Sequence, residues 1–407
     1  MTVSVALIVK DEQRTLARCL DSLAGAVDEI VVVDTGSRDA TKEIARRYTE
    51  RVFDFEWCDD FAAARRFAFE RATGDWVFWV DADDVVLNAA GIRATLAGAE
   101  PEVSGFEWRY VSGRDEWGNT LCEFWRERLV RNDGTFRWDG RIHEVLVPTR
   151  HCVLRRDHEV VVEHHPEHRR APEKLSRNLR ILERERGEAG TDAGPRIFFY
   201  LANEYAAAGR MRKALACYRK YLRVATWNEE RYYVQTRVAN LLRALRRYDE
   251  AVDMGLQSLK ICPHWPDAYF GLAETYYYLA DWHKVVHWCE MGRAMPLPDT
   301  PLFINPMDYR FNWIIFYTNA LFHLGEVEEA LRWTKHALAV RPDDEWHREN
   351  FLVFTGALET TAPALETTTR EACDAAAWPG SSDGGDIETP AGFDLTDGGP
   401  TQAAARA

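Results

Sequence analysis

No glycine-rich phosphate loop occurs in this 407-residue chain. The turn after the first apolar run reads Val9-Lys10-Asp11-Glu12-Gln13-Arg14, where a nicotinamide-binding unit needs Gly-x-Gly-x-x-Gly, and Gly-x-x-x-x-Gly-Lys is missing too. The eight cysteines (19, 58, 122, 152, 217, 262, 289 and 373) are scattered without a Cys-x-x-Cys pair. That pattern fits reduced thiols in a cytoplasmic protein better than a disulfide framework. No uninterrupted apolar stretch approaches ~18 residues, so no transmembrane helix is expected. The N-terminus lacks a basic start and reads as a first strand rather than a signal peptide. Positive charge is in deficit, with 51 Lys and Arg against 65 Asp and Glu, a net charge of −14 and a pI near 5.4. A generic nucleic-acid or anionic-membrane surface is therefore disfavoured.

What is present is an apolar chain with ordered punctuation. Hydrophobic residues make up 46% and charged residues 29%, enough for two or three packed domains. Apolar runs at 3–9, 29–33, 52–53 and 76–80 read as buried strands. Between them, residues 12–24 carry Leu16, Cys19, Leu20 and Leu23 on one helical face, and residues 60–72 carry Phe61, Ala64 and Ala68. A helix near 40–48 has Asp39 as its expected N-cap. Strand–helix alternation with short connections predicts a right-handed, doubly wound parallel sheet.

The ends of these strands hold the polar residues: Lys10-Asp11-Glu12, Asp34-Thr35-Gly36-Ser37 and Asp81-Ala82-Asp83-Asp84. In such a sheet those ends share one rim, where open α/β sheets bind ligands. Asp81 and Asp83, two apart on an extended chain, can face one site. Their hard oxygens suit Mg²⁺ or Mn²⁺ bridging to a diphosphate. Asp-Thr-Gly-Ser is also an aspartic-protease signature, but that fold is all-β and this copy sits between a strand and a helix.

Strands are next expected at 105–111, 126–131 and 160–162, with a loop at 114–120 and a turn at Asn132-Asp133-Gly134. Ile142-His143-Glu144 and Glu163-His164-His165-Pro166 carry the remaining candidate side chains. Adjacent extended histidines point opposite ways, so one of the pair is expected to ligate.

From 171 the pattern changes. A linking helix and a Gly/Ala/Asp-rich break fill 171–194, and helix pairs follow over 195–355. Equivalent positions Ala214, Ala251, Val286 and Ala330 lie 37, 35 and 44 residues apart. A period near ~34 is the tetratricopeptide signature. Pro263, Pro296 and Pro342 follow second helices, and an extra loop at 298–308 lengthens the last spacing. Trp227, Tyr232, Trp265, Tyr276, Tyr277, Trp282, Trp313 and Trp333 read mainly as repeat core. Residues 356–407 lose periodicity and read as a disordered acidic tail.

Residues 3–12, 31–41, 59–66 and 74–84, taken as an ordered set, resemble the family-2 glycosyltransferases of GT-A fold. The likeness is strongest to the subgroup with C-terminal tetratricopeptide repeats, which includes bacteriocin S-glycosyltransferases, and it spans residues 1–355. It implies a GT-A domain over 1–170, followed by the repeats, and a nucleotide-sugar donor, expected to be a UDP-sugar. Lys10, Glu12 and Asp34 match positions around the base and ribose, and Arg65 matches a helix residue facing the donor. Asp81 matches the residue near ribose and metal, Asp83 the metal ligand of the Asp-x-Asp motif, and His164 a histidine completing the metal shell, with Mn²⁺ or Mg²⁺ as the ion. Glu144 matches the acceptor-side carboxylate, the candidate base for an inverting transfer; a retaining mechanism stays open. Three positions depart from the family: Asp11 and Arg66 stand where Asn is usual, and Asp84 where Glu is usual. Arg66 is expected to add charge near the donor rim. A protein or peptide acceptor and a possible homodimer are expected by analogy. Small-molecule or envelope-glycan acceptors, a repeat scaffold with an inactive transferase domain, and a nucleotidyltransferase remain as alternatives.

Overall fold

The computed structural model describes residues 1–166, 171–190 and 194–359. Strands β1 (Val3–Val9), β2 (Glu29–Asp34), β3 (Val52–Asp54) and β4 (Trp76–Trp79) run parallel in the order β3-β2-β1-β4. This is the sheet expected from the apolar runs. Successive side chains of β1 serve opposite faces. Val3, Val5, Leu7 and Val9 pack with Leu16, Cys19 and Leu20 of α1 (Leu16–Ser22). Ala6 and Ile8 pack on the other side with Ala68. Helix α2 (Thr41–Ala45) starts differently from expectation: Ala40 occupies the N-cap position. Asp39 accepts from Thr41 N at 3.0 Å and from Gln13 N at 3.1 Å, and so ties this turn to the one after β1. Helix α3 (Phe61–Phe69) is capped by Asp60, whose carboxylate accepts from Ala63 N at 2.8 Å.

The rest of the sheet is mixed rather than parallel. After β5 (Asp84–Leu87) and α4 (Gly91–Ala97) come β6 (Val103–Arg114) and β7 (Thr120–Arg131). A five-residue connection leaves these two strands only an antiparallel pairing. The small hairpin of β8 (Phe136–Asp139) and β9 (Val145–Pro148) precedes β10 (Val153–His164), much longer than the short strand expected at 160–162. The full order is β3-β2-β1-β4-β7-β6-β10-β5.

Strands β4 and β5 are thus four places apart in the sheet, yet only residues 80–83 join them. Four flat strand spacings need about 19 Å, slightly more than a five-step extended chain of about 16–18 Å reaches. The sheet therefore curls into a Rossmann-like half-barrel that returns β5 to the rim beside β4. Ser22 of α1 meets it there, accepting from Val86 N at 3.1 Å.

The remaining helices are α5 (Ala171–Ala189), α6 (Pro195–Ala207), α7 (Met211–Leu222), α8 (Asn228–Ala244), α9 (Tyr248–Leu259), α10 (Asp267–Tyr278), α11 (Trp282–Arg293), α12 (Pro306–Arg310), α13 (Ile314–His323), α14 (Val327–Val340) and α15 (Glu345–Glu359). Pairs α6–α7, α8–α9, α10–α11 and α13–α14 are the four expected tetratricopeptide-like hairpins. Ala214, Ala251 and Ala330 are buried where helices approach closely; in the third unit Val285 takes that place and Val286 is half-buried. The aromatic residues named above are all buried or packed against the helical cores. Two boundaries move: α5 runs to Ala189, past the linking helix expected over 172–185 and into the expected break, and α15 continues to Glu359. The tail expected from 356 otherwise lies outside the described residues.

The extra loop between α11 and α13 has a structural use. Ile304 bridges to Glu123 of β7 through two backbone hydrogen bonds of 2.9 and 3.1 Å, and Phe303 packs edge-on against Phe124 at 4.4 Å. At the end of α14, Arg341 pairs with Asp115 at the β6–β7 tip, at 2.9 Å. Burial alone would push the Asp115 carboxyl up, but hydrogen bonds from Asn119 and Arg341 hold it below its ordinary value. A lowered folded-state value means that this contribution is complete above the unfolded carboxylate value and is lost as pH falls through the folded one. Arg341→Ala should accordingly lower the thermal midpoint at pH 7, and the gap to the parent should close below about pH 4. Gly74→Ala should cost about 1–3 kcal/mol in urea unfolding, because its Cβ would stand 2.8 Å from Ser4 N and Oγ and 3.1 Å from Thr2 O.

Candidate active site

The strand ends converge as the apolar pattern requires. The turns after β1 and β2 are knitted together: Asp11 N donates to Ser37 Oγ at 2.9 Å, Arg38 N to Asp11 Oδ1 at 2.7 Å, and Glu12 N to Thr41 Oγ1 at 2.7 Å. Asp11 has φ +55°, a left-handed conformation that Asn and Asp tolerate better than most residues, so aspartate is a physically mild replacement there. Lys10 is exposed at the end of β1, and the Glu12 carboxylate accepts from Thr15 Oγ1. Asp34 is buried at the end of β2. Its Oδ1 accepts from Gly36 N at 3.0 Å and Ser37 N at 2.9 Å, whereas Oδ2 is buried and has no hydrogen-bond partner among the described residues.

Arg65, on α3, lies at the middle of the site and is only 6% exposed. Its Nη2 donates to Asp81 Oδ1 at 2.7 Å and its Nε to Glu144 Oε1 at 2.6 Å. The guanidinium is flanked by the rings of Trp79 and Trp138, at 4.6 and 5.0 Å. Burial would lower its proton affinity, but the two carboxylates outweigh burial and hold it above its ordinary value, so the charge persists. One buried cation thus joins the carboxylate after β4, 16 positions along the chain from Arg65, to the one in Ile142-His143-Glu144, 79 positions from Arg65. Arg66, the unusual neighbour, donates to the Trp138 carbonyl at 2.9 Å.

Asp81, Asp83 and Asp84 divide by environment. The Asp81 and Asp83 side chains keep 29% and 23% exposure, whereas Asp84 is fully buried. Asp84 Oδ1 accepts from Tyr110 Oη at 2.9 Å and lies 3.2 Å from His164 Nδ1. Its Oδ2 accepts from Asp81 N at 3.1 Å and lies 3.4 Å from Arg128 Nη1. Arg128 in turn sits over Trp79 and Tyr110, at 3.7 and 4.4 Å. His164, the last residue of β10, is in antiparallel register with Asp84. Its Nδ1 is also 3.5 Å from Asp83 Oδ1. His165 is more exposed and lies 3.6 Å from Glu163, so only the first histidine of the pair joins the carboxylates.

Asp83, Asp84 and His164 offer ligand atoms within 4.8 Å of one another. Opposite ligands of a Mg²⁺-sized ion stand about 4.2 Å apart, so this donor set fits a small divalent cation with little rearrangement. Asp81 is drawn towards Arg65 instead of into this group.

Residues 4–156 match the family described as glycosyl transferase family 2. Residues 4–156 form a family-2 glycosyl transferase domain. A TPR repeat-containing protein of Synechococcus elongatus is 37% identical over 145 residues, 35% of this chain and 35% of that protein. The glycosyltransferase SunS of Bacillus subtilis is 26% identical over 145 residues, 35% of this chain and 34% of that protein. The lipopolysaccharide core biosynthesis glycosyltransferase LpsC of Rhizobium meliloti is 29% identical over 159 residues, 36% of this chain and 58% of that protein. The chain thus spans about a third of the length of the first two and under two thirds of the last.

Sequence reasoning missed Arg128, Tyr110 and Trp79, which hold the transferase domain's acidic turn in place. A signal existed: Arg126-Glu127-Arg128 is a run of three consecutive charges in a strand, directly before the apolar Leu129-Val130. Burial pushes the Glu127 carboxyl up, and its nearest counter-charge is Arg126 Nε at 3.9 Å. Arg128→Met would leave Asp84 buried without its cation. The expected cost is about 3–5 kcal/mol by urea unfolding.

Proposed function

We propose that the chain is a metal-dependent, inverting glycosyltransferase that takes a sugar from a nucleotide-diphosphate donor, a UDP-sugar in the first instance. The observation that carries this reading is the Asp81–Arg65–Glu144 bridge beside the Asp83–His164 cluster. It joins a donor-side and an acceptor-side carboxylate across one buried cation.

The proposed roles follow from the positions. The buried, unpartnered Asp34 Oδ2 is an acceptor for a hydroxyl or N–H of the nucleoside, and Lys10 and Glu12 border the same rim. Asp83, Asp84 and His164 would hold Mn²⁺ or Mg²⁺, with Asp81 alongside. A bound divalent cation neutralises charge developing on a departing diphosphate. Arg65 fixes Glu144 Oε1, leaving Oε2 as the base atom. Oε2 takes the acceptor's proton as the acceptor atom bonds to the anomeric carbon. The bond from that carbon to the diphosphate oxygen breaks, and its electron pair leaves with the nucleotide.

Helical repeats stack into extended concave surfaces suited to polypeptides, which favours a protein or peptide acceptor. The proposed setting is the cytoplasm, on the scattered-thiol pattern of the sequence; the seven described cysteines are free, and no described helix is long and apolar enough to cross a membrane.

The test is a panel of nucleotide sugars with Mn²⁺, following release of nucleoside diphosphate. Release is expected for at least one donor and should stop on chelation. Asp83→Ala should abolish it, and Glu144→Gln should lower kcat by about 10²–10⁴ with UDP binding retained. Pyrophosphate release from a nucleoside triphosphate would mark a nucleotidyltransferase instead, and no release of either kind a scaffold.

A further inference from the structure

The segment carrying Glu144 is held from two sides. The Arg141 carbonyl accepts from Phe61 N at 2.8 Å, while its guanidinium pairs with Glu188 of α5 at 2.8 Å. Ile142 is buried and belongs to the hydrophobic core of the helical region. His143 is 6% exposed and adopts φ +53°, a conformation that a residue with a Cβ rarely takes. Its ring stacks on Tyr200 of α6, with centroids 4.4 Å apart and planes 18° from parallel. Its Nε2 lies 3.1 Å from Glu204 Oε1, also on α6. Glu204 is fully buried, and the same oxygen accepts from Asn178 Nδ2 of α5 at 3.0 Å. The next residue, Glu144, turns back to Arg65, and its carbonyl accepts from Arg126 Nη2 at 2.9 Å.

Three consecutive side chains thus belong to the helices and the fourth to the transferase rim. The left-handed residue between them makes the reversal sharp, so a rotation at His143 swings Glu144 off Arg65. We infer that Glu204 and His143 are positioning residues for the transfer: the first repeat helix holds the His143 ring, and through it aims the Glu144 carboxylate. This rests on the role proposed above for Glu144. The helical region then completes the transferase site as well as offering a surface to an acceptor. Strain held by surrounding structure at one backbone position is a recurrent way of fixing a reactive side chain.

The experiment uses the full chain, Mn²⁺ and whichever sugar nucleotide supports diphosphate release by the parent. UDP binding by calorimetry is the donor-side control. Glu204→Ala should lower kcat by about tenfold to a hundredfold, the scale of a small misplacement of a reacting group, with UDP affinity and donor KM essentially unchanged. Glu204→Gln, which keeps an acceptor oxygen for His143 and Asn178, should recover most of that loss. A purely structural role would lower the melting temperature and leave kcat per folded molecule alone. That result for Glu204→Ala would overturn the inference. If Glu204→Ala does not fold, His143 decides. Asn suits left-handed backbone but has no ring for Tyr200 and Glu204 to hold, so His143→Asn should fold and lose about tenfold or more in kcat, and a kcat equal to the parent's would overturn the inference. A parent protein that releases diphosphate from no donor would sink the transferase reading itself, and this inference with it.

Discussion

The Arg65 guanidinium is the interaction on which the site depends. It is buried between two tryptophan rings and shared by two carboxylates from distant parts of the chain. Removing a charged group from water is costly unless it is paired and hydrogen-bonded, and here both arms of the group are used. The arrangement holds only if α3 meets the end of β4 on one side and the loop before β9 on the other. Sheet curvature, helix placement and the returning Ile142-His143-Glu144 segment all satisfy that condition. Asp84 repeats the same logic one turn away, with Arg128, Tyr110 and His164 around a fully buried carboxylate.

The half-barrel explains why a four-residue acidic turn can serve two purposes. The turn must bring the chain from β4 to the far edge of the sheet, and curling makes the distance short enough. Asp81 remains at the β4 end, near Arg65, while Asp84 begins β5 opposite His164. Asp83 stands between these anchored neighbours. The helical region braces the construction at α5–α6 beside Glu144, at Ile304 beside β7 and at Arg341 beside the β6–β7 tip, among other contacts. The second brace comes from the insertion that stretches the repeat period.

Much of this was legible in the residues. Uninterrupted apolar runs marked the four parallel strands, and polar residues at their ends marked one rim. Small residues at near-regular spacing marked the helix pairs. The mixed second half was harder to read. A hairpin of two long strands, crossed by buried charges such as Arg126 and Arg128, has no simple hydrophobic alternation. The donor-facing expectation for Arg65 came from resemblance, and no pattern along the chain shows a side chain paired with residues 16 and 79 positions away. His143 stands in the sequence only as one of the candidate side chains of Ile142-His143-Glu144; that its partner comes from the repeats is a tertiary fact, invisible to local pattern.

The most direct test of this account replaces the shared guanidinium with a point charge. Lysine retains the charge but has no planar fork to reach both carboxylates. If Arg65 acts by joining Asp81 to Glu144, Arg65→Lys should bind UDP with Mn²⁺ about as tightly as the parent while kcat falls by about a hundredfold or more, within the range of a lost base. Turnover close to the parent's, or a loss of UDP binding as large as the loss of turnover, would contradict the bridge as the organising element of the site.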